Sequence, residues 1–323
     1  MQPISIVMTE LNEVRNIERV VSNLLSQVPP ASEIVVVDGG STDGAWEWLV
    51  QAARSNPSLV PIRDETCNLQ HSSGPISRGR NVAISAAKSA LIACADAGCT
   101  YASDWLRNLT GPLIAGQAEY ALGGTCLDPQ DHSVWDVASA PFFSIKLSPS
   151  EPTKSCTARS MAFTKALWRR IGGFPETVFF AEDTLFDSAV RKTTAPAFVA
   201  NAKAFYRRRH SFYSAARQMA YYAIGDGQIR VRWSRLFRNS ARCLVQLAAL
   251  FLLWWSAFPF LFVLLLECWF AFHRDWRFLP RFGLGAIHAR FAFSIAVPWL
   301  IAVNHIRGLL SAKPLSNRQN ISA

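Results

Sequence analysis

Ile34-Val35-Val36-Val37-Asp38-Gly39-Gly40-Ser41-Thr42-Asp43-Gly44 decides the fold. Its unbroken β-branched run makes a buried strand that ends in an acid. Two glycines then turn the chain sharply, and Ser41, Thr42 and Asp43 lead into a helix. In an open α/β sheet, ligands sit beyond the carboxyl ends of the strands, where Asp38 stands. Ser41 and the backbone N–H groups of the turn can face a bound ligand there. The alternative is a plain strand–turn–helix connection in which Ser41 or Asp43 is only a helix cap.

On the amino-terminal side, Ile4-Ser5-Ile6-Val7-Met8 is a β run, and Thr9-Glu10-Leu11-Asn12-Glu13 is a polar turn. Val14, Ile17, Val20, Val21, Leu24 and Leu25 recur at helical spacing, and Pro29 and Pro30 close that helix. On the other side, Trp46, Leu49 and Val50 mark a helix, and Leu59-Val60-Pro61-Ile62 marks a third strand. A β-α-β-α-β order predicts a parallel sheet with helices on its faces.

Asp64 to Pro75 is a polar loop, and Ser77-Arg78-Gly79-Arg80-Asn81 opens a helix. Ala90-Leu91-Ile92-Ala93-Cys94-Ala95-Asp96 is another apolar strand ending in a lone carboxylate. Two strand-end acids, Asp38 and Asp96, are therefore expected along one sheet edge. A further helix begins at Asp104 and a strand runs through Gly123-Gly124-Thr125-Cys126. Residues 127–154, with four prolines and several serines, form a long connection: an acceptor-binding or lid segment, or a plain surface excursion. A strand over Cys156–Phe163 and a short helix stopped by Gly172-Gly173 follow. Next, Glu182-Asp183 opens a helix. Acids in a first helical turn serve as dipole partners. Beside a phosphate-bearing substrate, one of them is a general-base candidate.

The 323 residues suit one large domain with an appendage, or two domains. Half are hydrophobic, and the mean hydropathy is +0.13. The net charge is +10. Such an excess suits anionic lipid, phosphorylated substrates or nucleic acid, and its location chooses among them. Lys203, Arg207, Arg208, Arg209, Arg217, Arg230, Arg232, Arg235, Arg238 and Arg242 precede the most apolar stretch, with Asp226 the one acid among them. Arginines beside an apolar run are explained by a membrane, so no nucleic acid is expected. The seven scattered cysteines include no Cys-x-x-Cys, which argues against a zinc site or disulfide framework. No basic region followed by an apolar run opens the chain, so no cleaved signal peptide is expected.

Six segments, in order, resemble glycosyltransferase family 2 over residues 3–225. They are Ile4–Met8 through Asn12-Glu13, Val37-Asp38-Gly39-Gly40-Ser41-Thr42-Asp43-Gly44, Arg80-Asn81, Asp96, Gly172-Gly173-Phe174 and Glu182-Asp183. The resemblance implies a GT-A fold, a Rossmann-like mostly parallel sheet flanked by helices. It also implies an inverting enzyme that uses a nucleotide-diphosphate sugar. Thr9, Glu10, Asp38 and Ser41 would line the nucleoside pocket, and Arg80 would lie beside the base or diphosphate. Asp96 would hold the diphosphate and a divalent metal, Mg²⁺ or Mn²⁺. Asp183, with Glu182, would be the catalytic base that deprotonates the acceptor hydroxyl. The chain departs from the family at Asp96-Ala97-Gly98, where Gly98 replaces the second acid of the usual Asp-x-Asp. Either Asp96 holds the metal with water or His210, or the metal is weakly bound and arginines 207–209 neutralise the diphosphate. Gln228-Ile229-Arg230-Val231-Arg232-Trp233 resembles the Gln-x-x-Arg-Trp signature of processive synthases but is one residue too long. Single-sugar transfer is favoured, with 226–242 a basic juxtamembrane helix.

From Cys243 to Phe272 the chain is apolar except for Glu267, which exceeds the ~20 residues a span needs. Trp254, Trp255 and Pro259 also permit a kinked span or a re-entrant hairpin. Phe291–Val303, extended back to Leu284, is a second span or an interfacial helix. One or two membrane helices are thus expected over 243–310, with a polar tail at 311–323. Flanking arginines place the catalytic domain, 1–225, on the cytoplasmic side of the inner membrane. The expected activity is sugar transfer to a lipid-linked or membrane-bound acceptor in glycolipid or cell-envelope polysaccharide synthesis. A polyprenyl-phosphate sugar transferase and a non-catalytic nucleotide-sugar-binding scaffold are the alternatives.

Overall fold

The computed structural model describes residues 2–128, 132–143, 145, 147, 153–154, 157–206, 211–273 and 282–311. The roles expected of Arg207, Arg208, Arg209, His210 and the tail beyond 311 lie outside these residues. Two compact units emerge, one of residues 1–131 and 144–208, the other of 132–143 and 209–323.

The first unit is built on one sheet of order β3-β2-β1-β4-β8-β6-β9-β5, with β7 paired to β6. Its amino-terminal half alternates β1 (Ile4–Glu10), α1 (Val14–Leu25), β2 (Glu33–Asp38), α2 (Ala45–Ser55), β3 (Leu59–Arg63), α3 (Pro75–Ala86) and β4 (Leu91–Cys94). These four strands pair in parallel, as expected. The rest comprises β5 (Cys99–Tyr101), α4 (Trp105–Ile114), β6 (Tyr120–Leu127), β7 (Thr153–Lys154), β8 (Met161–Thr164), α6 (Lys165–Ile171), α7 (Glu182–Arg191) and β9 (Ala197–Tyr206). Here β8 runs antiparallel to both β4 and β6, and β5 runs antiparallel to β9. The sheet is thus mixed, with its parallel character concentrated in the half that carries Asp38.

Period-two alternation sorts the two faces. Ile4, Ile6, Met8, Ile34 and Val36 pack beneath α1, α2 and α4, whereas Val7, Val35, Val37, Ile92 and Cys94 pack beneath α3, α6 and α7. Helix α1 buries Ile17, Val20, Val21 and Leu24, a single stripe. Each such side chain contributes about 1.5–3 kcal/mol of burial. Among the described residues the cysteines are free, and all but Cys268 are buried.

The second unit comprises α5 (Val134–Ser139), α8 (Phe212–Gln228), α9 (Trp233–Leu252), α10 (Phe258–Phe272) and α11 (Gly283–Ser311). Helix α5, capped by Ser133 and Asp136, lies inside the connection read as irregular. The stretch expected as one basic helix, 226–242, is broken: α8 ends at Gln228, and Arg230 and Arg232 both have left-handed backbones before α9 starts. The 243–272 run is divided too, at the turn between α9 and α10. Helix α11 is long and apolar enough to cross a membrane.

Candidate active site

Parallel pairing sets Glu10 directly beside Asp38 at the ends of β1 and β2. Both are buried, and two anions that close and dry cannot both ionise. Burial, reinforced by Asp38, raises Glu10 from 4.5 to about 9, so it keeps a proton at neutral pH. Burial also opposes ionisation of Asp38, but hydrogen bonds from Glu10, Ser41 and Gly40 outweigh it and hold Asp38 below the usual range. The Gly40 and Ser41 N–H groups donate to Asp38 Oδ1 at 2.8 and 3.0 Å. Each glycine of the turn has its own reason. A Cβ on Gly39 would sit 2.7 Å from the Cys67 carbonyl oxygen, and Gly40 has φ +94°.

Ser41, Thr42 and Asp43 bind the two loops to each other. Ser41 Oγ accepts the Asn12 N–H at 2.8 Å and donates to Glu10 Oε1 at 3.2 Å. Asn12 Oδ1 accepts the Thr42 N–H at 2.9 Å. The Asp43 carboxylate accepts from Val14 N and Ala45 N, so it serves the first turns of both α1 and α2. Thr9 is covered by α3, where a Cβ on Gly79 would lie 2.2 Å from Thr9 Oγ1.

Helix α3 then carries Arg80 to the start of α7. Arg80 Nη1 donates to Glu182 Oε1 at 2.7 Å within a buried pair. Its guanidinium lies 5.5 Å from the Phe174 ring centroid, and its positive charge also acts on Asp183 and Cys94. Asn81 holds the Gly172-Gly173-Phe174 turn. Its Oδ1 accepts from Phe174 N at 2.9 Å and Trp168 Nε1 at 3.1 Å, and its Nδ2 donates to Phe174 O and Glu176 Oε1. Two motifs far apart in sequence are thus one piece of structure.

Asp183 stands beside Glu182 in the first turn of α7 and accepts the Thr184 N–H at 2.7 Å. Burial, then the Glu182 charge, raises it from 3.8 to about 6, against the lowering influence of Arg80 and Arg159. A carboxylate at that value ionises just below neutrality, which suits proton acceptance.

Asp96 lies past the end of β4, next to β1. Its Oδ1 accepts the Gly98 N–H at 2.8 Å, and its own N–H donates to the Tyr101 hydroxyl at 2.8 Å. The Tyr101 ring packs on Trp105, 4.2 Å between centroids, and Trp105 Nε1 donates to Ser160 Oγ at 2.8 Å. Beside Ser160, the Arg159 guanidinium lies 4.1 Å from the Tyr206 ring centroid, and its charge acts on both Cys99 and Asp183. Tyr101, Arg159 and Ser160 were missed from sequence. An arginine preceding a short strand carries no period or motif, and its neighbours come from β5 and β9, both unforeseen.

Among the described residues no group of three or more His, Cys, Asp or Glu is placed to hold a metal. Asp96 fits a narrower part. With Oδ1 on Gly98 N, its second oxygen is the one that could turn to a divalent cation.

A half-parallel sheet with buried acids at its carboxyl edge has GT-A architecture, and α7 adds a second carboxylate pair. The chain belongs to glycosyl transferase family 2, whose model matches residues 5–170. It is 31% identical over 140 residues to the glycosyltransferase AglE of Haloferax volcanii, spanning 40% of this chain and 44% of that relative. Among solved structures, the mannosyltransferase PcManGT from Pyrobaculum calidifontis, in complex with GDP-Man and Mn²⁺, superposes with TM-score 0.61 at 18% identity, over 96% of this chain and 88% of that one. GalNAc-T7 with UDP, GalNAc and Mn²⁺ gives TM-score 0.51 at 15% identity, over 70% and 48%. At these identities the two structures share the fold. The chain spans less than half the length of the AglE relative it matches.

Proposed function

We infer that this enzyme moves a single sugar, with inversion at the anomeric carbon, from a nucleotide-diphosphate sugar to a hydroxyl of a lipid-linked or membrane-bound acceptor. The work would be done at the cytoplasmic face of the inner membrane, in glycolipid or cell-envelope polysaccharide synthesis. The observation that carries the reading is the unequal treatment of the α7 carboxylates. Glu182 is bound by Arg80, while Asp183 is raised to about 6 and left to accept a proton. Inversion needs one such base on the acceptor side of the anomeric carbon.

In this reading the Asp38 anion, with Glu10 as a neutral acid beside it, recognises the base or ribose. Ser41 and Thr9 set the floor of that pocket. Arg80 fixes Glu182, so that Asp183 alone takes the acceptor proton. Asp96 would hold Mg²⁺ or Mn²⁺ against the diphosphate, where a divalent cation neutralises the leaving group's charge. Arg159, within electrostatic reach of the Asp96 loop and Asp183, adds positive charge that does not depend on metal.

The test is release of nucleoside diphosphate by purified protein given nucleotide-sugars and glycolipid or polyprenol-linked acceptors. Release is expected with wild type, with a loss of about a thousandfold in Asp183→Asn. Unchanged release by that variant with a polyprenyl-phosphate acceptor would instead indicate a phosphate nucleophile needing no base.

A further inference from the structure

The second unit carries an apolar surface that its sequence alone did not resolve. The α9–α10 turn projects Trp254, Trp255 and Phe258, which are 89%, 67% and 75% exposed. Behind that tip, α9 turns Leu244, Val245, Leu247, Leu250 and Phe251 outward, and α10 turns Leu261, Phe262 and Leu265 outward.

The inward faces carry polar groups beside the small residues Cys243, Ala249 and Ala271. Glu267 of α10 is buried and accepts from Arg242 and, at 2.8 Å, from Gln246 Nε2, both on α9. Gln246 Oε1 in turn accepts from Trp299 Nε1 of α11 at 2.6 Å. Water drives apolar side chains inward. A helix pair with its polar groups inside and its apolar groups outside is suited to hydrocarbon.

Length limits how deep the pair can go. The apolar limb of α9, 243–252, rises ~15 Å at about 1.5 Å per residue, and the 15 residues of α10 rise ~22 Å. The hydrocarbon core is ~30 Å thick, so one leaflet is about half that. The charges mark the waterline. Arg238 is exposed at the open end of α9, and Arg274 and Arg277 follow α10 in sequence. Between them the only charge on the two limbs, apart from Arg242, is the Glu267 that Arg242 pairs with.

Helix α11 passes the length and hydropathy test for a different reason. Its Phe293, Val297 and Ile301 pack on Ala215 and Met219 of α8. At the far end a Cβ on Gly227 would sit 2.1 Å from the His305 carbonyl oxygen, and one on Gly308 would sit 2.2 Å from that of Ile224. So α8 lies against α11 from Phe293 to Gly308, and α8 carries Arg217, Gln218 and Asp226. Nearer its start, Arg290 is fully buried and donates to the Val137 carbonyl of α5 at 2.8 Å. Protein neighbours thus cover about half of α11, while Leu284, Val303, Ile306 and Leu310 stay exposed.

We propose that α9 and α10 form a re-entrant hairpin that inserts tip-first into one leaflet of an anionic bilayer without crossing it, and that α11 remains outside the lipid. This rests on the reading of a membrane-attached enzyme and fixes how attachment is made. Exposed Arg238 at the hairpin's open end then meets anionic headgroups.

The experiment uses the full chain in sealed vesicles of equal parts phosphatidylethanolamine and phosphatidylglycerol. Leu69→Cys, Trp255→Cys and Leu310→Cys are each treated with a membrane-impermeant maleimide, and wild-type labelling is subtracted. Leu69 and Leu310 are 62% and 83% exposed, so each tolerates the change. The expected result is labelling of Leu69→Cys and Leu310→Cys from the same side, with Trp255→Cys labelled only after detergent. Labelling of Trp255→Cys from the opposite side would mean that the hairpin spans. Labelling of Leu310→Cys from the opposite side would mean that α11 spans. Either result overturns the inference while leaving membrane attachment intact. If the wild-type chain does not co-float with vesicles and Trp255→Cys is protected in a dimer in solution, a second copy covers the tip, and the attachment reading fails as well. A Trp254→Ser/Trp255→Ser/Phe258→Ser variant that keeps wild-type donor binding reports on the same tip. It should co-float about tenfold less than wild type, and equal co-flotation also overturns the inference.

Discussion

Arg80 Nη1 and Glu182 Oε1 meet at 2.7 Å across 102 positions of sequence, joining α3 to the first turn of α7. The pair is buried, so its members depend on each other for charge compensation. Arg80→Ala, which strands Glu182, is expected to destabilise the fold by about 3–5 kcal/mol in urea unfolding. The Arg170–Glu119 pair, 2.6 Å apart but about half exposed, is the control. Arg170→Ala should leave the urea midpoint nearly unchanged, because solvent screens the pair.

The pH dependence of transfer should carry the signature of Asp183. Its carboxyl is raised to about 6 by burial and by Glu182, so kcat/KM should climb as pH rises through about 6. Glu182→Gln removes the charge that raises Asp183 and frees Arg80 to lower it. The acid limb should then move to lower pH. An unmoved limb would show that another group governs it.

Glu10 makes the opposite kind of prediction, about stability. The folded chain holds its proton to about 9, whereas an unfolded glutamate releases it near ~4.3. The native state therefore binds more protons across that window, and stability falls as pH rises through it. Glu10→Gln imitates the protonated acid. It should flatten the thermal-unfolding profile between about pH 5 and 9, with its advantage over wild type growing toward the alkaline end.

Asn81 ties α3 to the turn that leads toward α7. Asn81→Ala deletes bonds to Phe174, Trp168 and Glu176. A loss of about 2–4 kcal/mol in stability is expected at roughly 1 kcal/mol per hydrogen bond. A fall in kcat of about tenfold should accompany it, since α7 loses its fixed approach. Gly173→Ala attacks the same contact from the other side, because Gly173 has φ +79° and its Cβ would lie 3.0 Å from Asn81 Oδ1.

The amino-terminal half was legible because its signals are local. Hydrophobic period placed α1 from Val14 to Leu25, and the β-branched run ending at Asp38 placed β2. Strand β9, Ala197–Tyr206, was not legible. Its interior includes exposed Ala200 and Asn201, and its register with β6 is shifted at Gly123/Gly124, so no clean alternation marks it. Trp254, Trp255 and Pro259 marked the break between α9 and α10, though not its geometry. Hydropathy alone makes 243–272 one run, because it does not record a turn. At the candidate site, residue types suggested the acids, and the fold adds the partners of each. Only the fold shows that Arg80 pairs directly with Glu182 and reaches Asp183 through its charge alone.

The cross-bonding of Asn12 with Ser41 and Thr42, and of Asp43 with Val14, has a thermodynamic consequence. Two loops bound into one body have little freedom left to surrender when a nucleotide arrives. Ordering entropy should therefore be a small part of donor association. Breaking the lacing at Asn12 should appear in calorimetry as a more unfavourable entropy, with little change in the contacts the nucleotide itself makes.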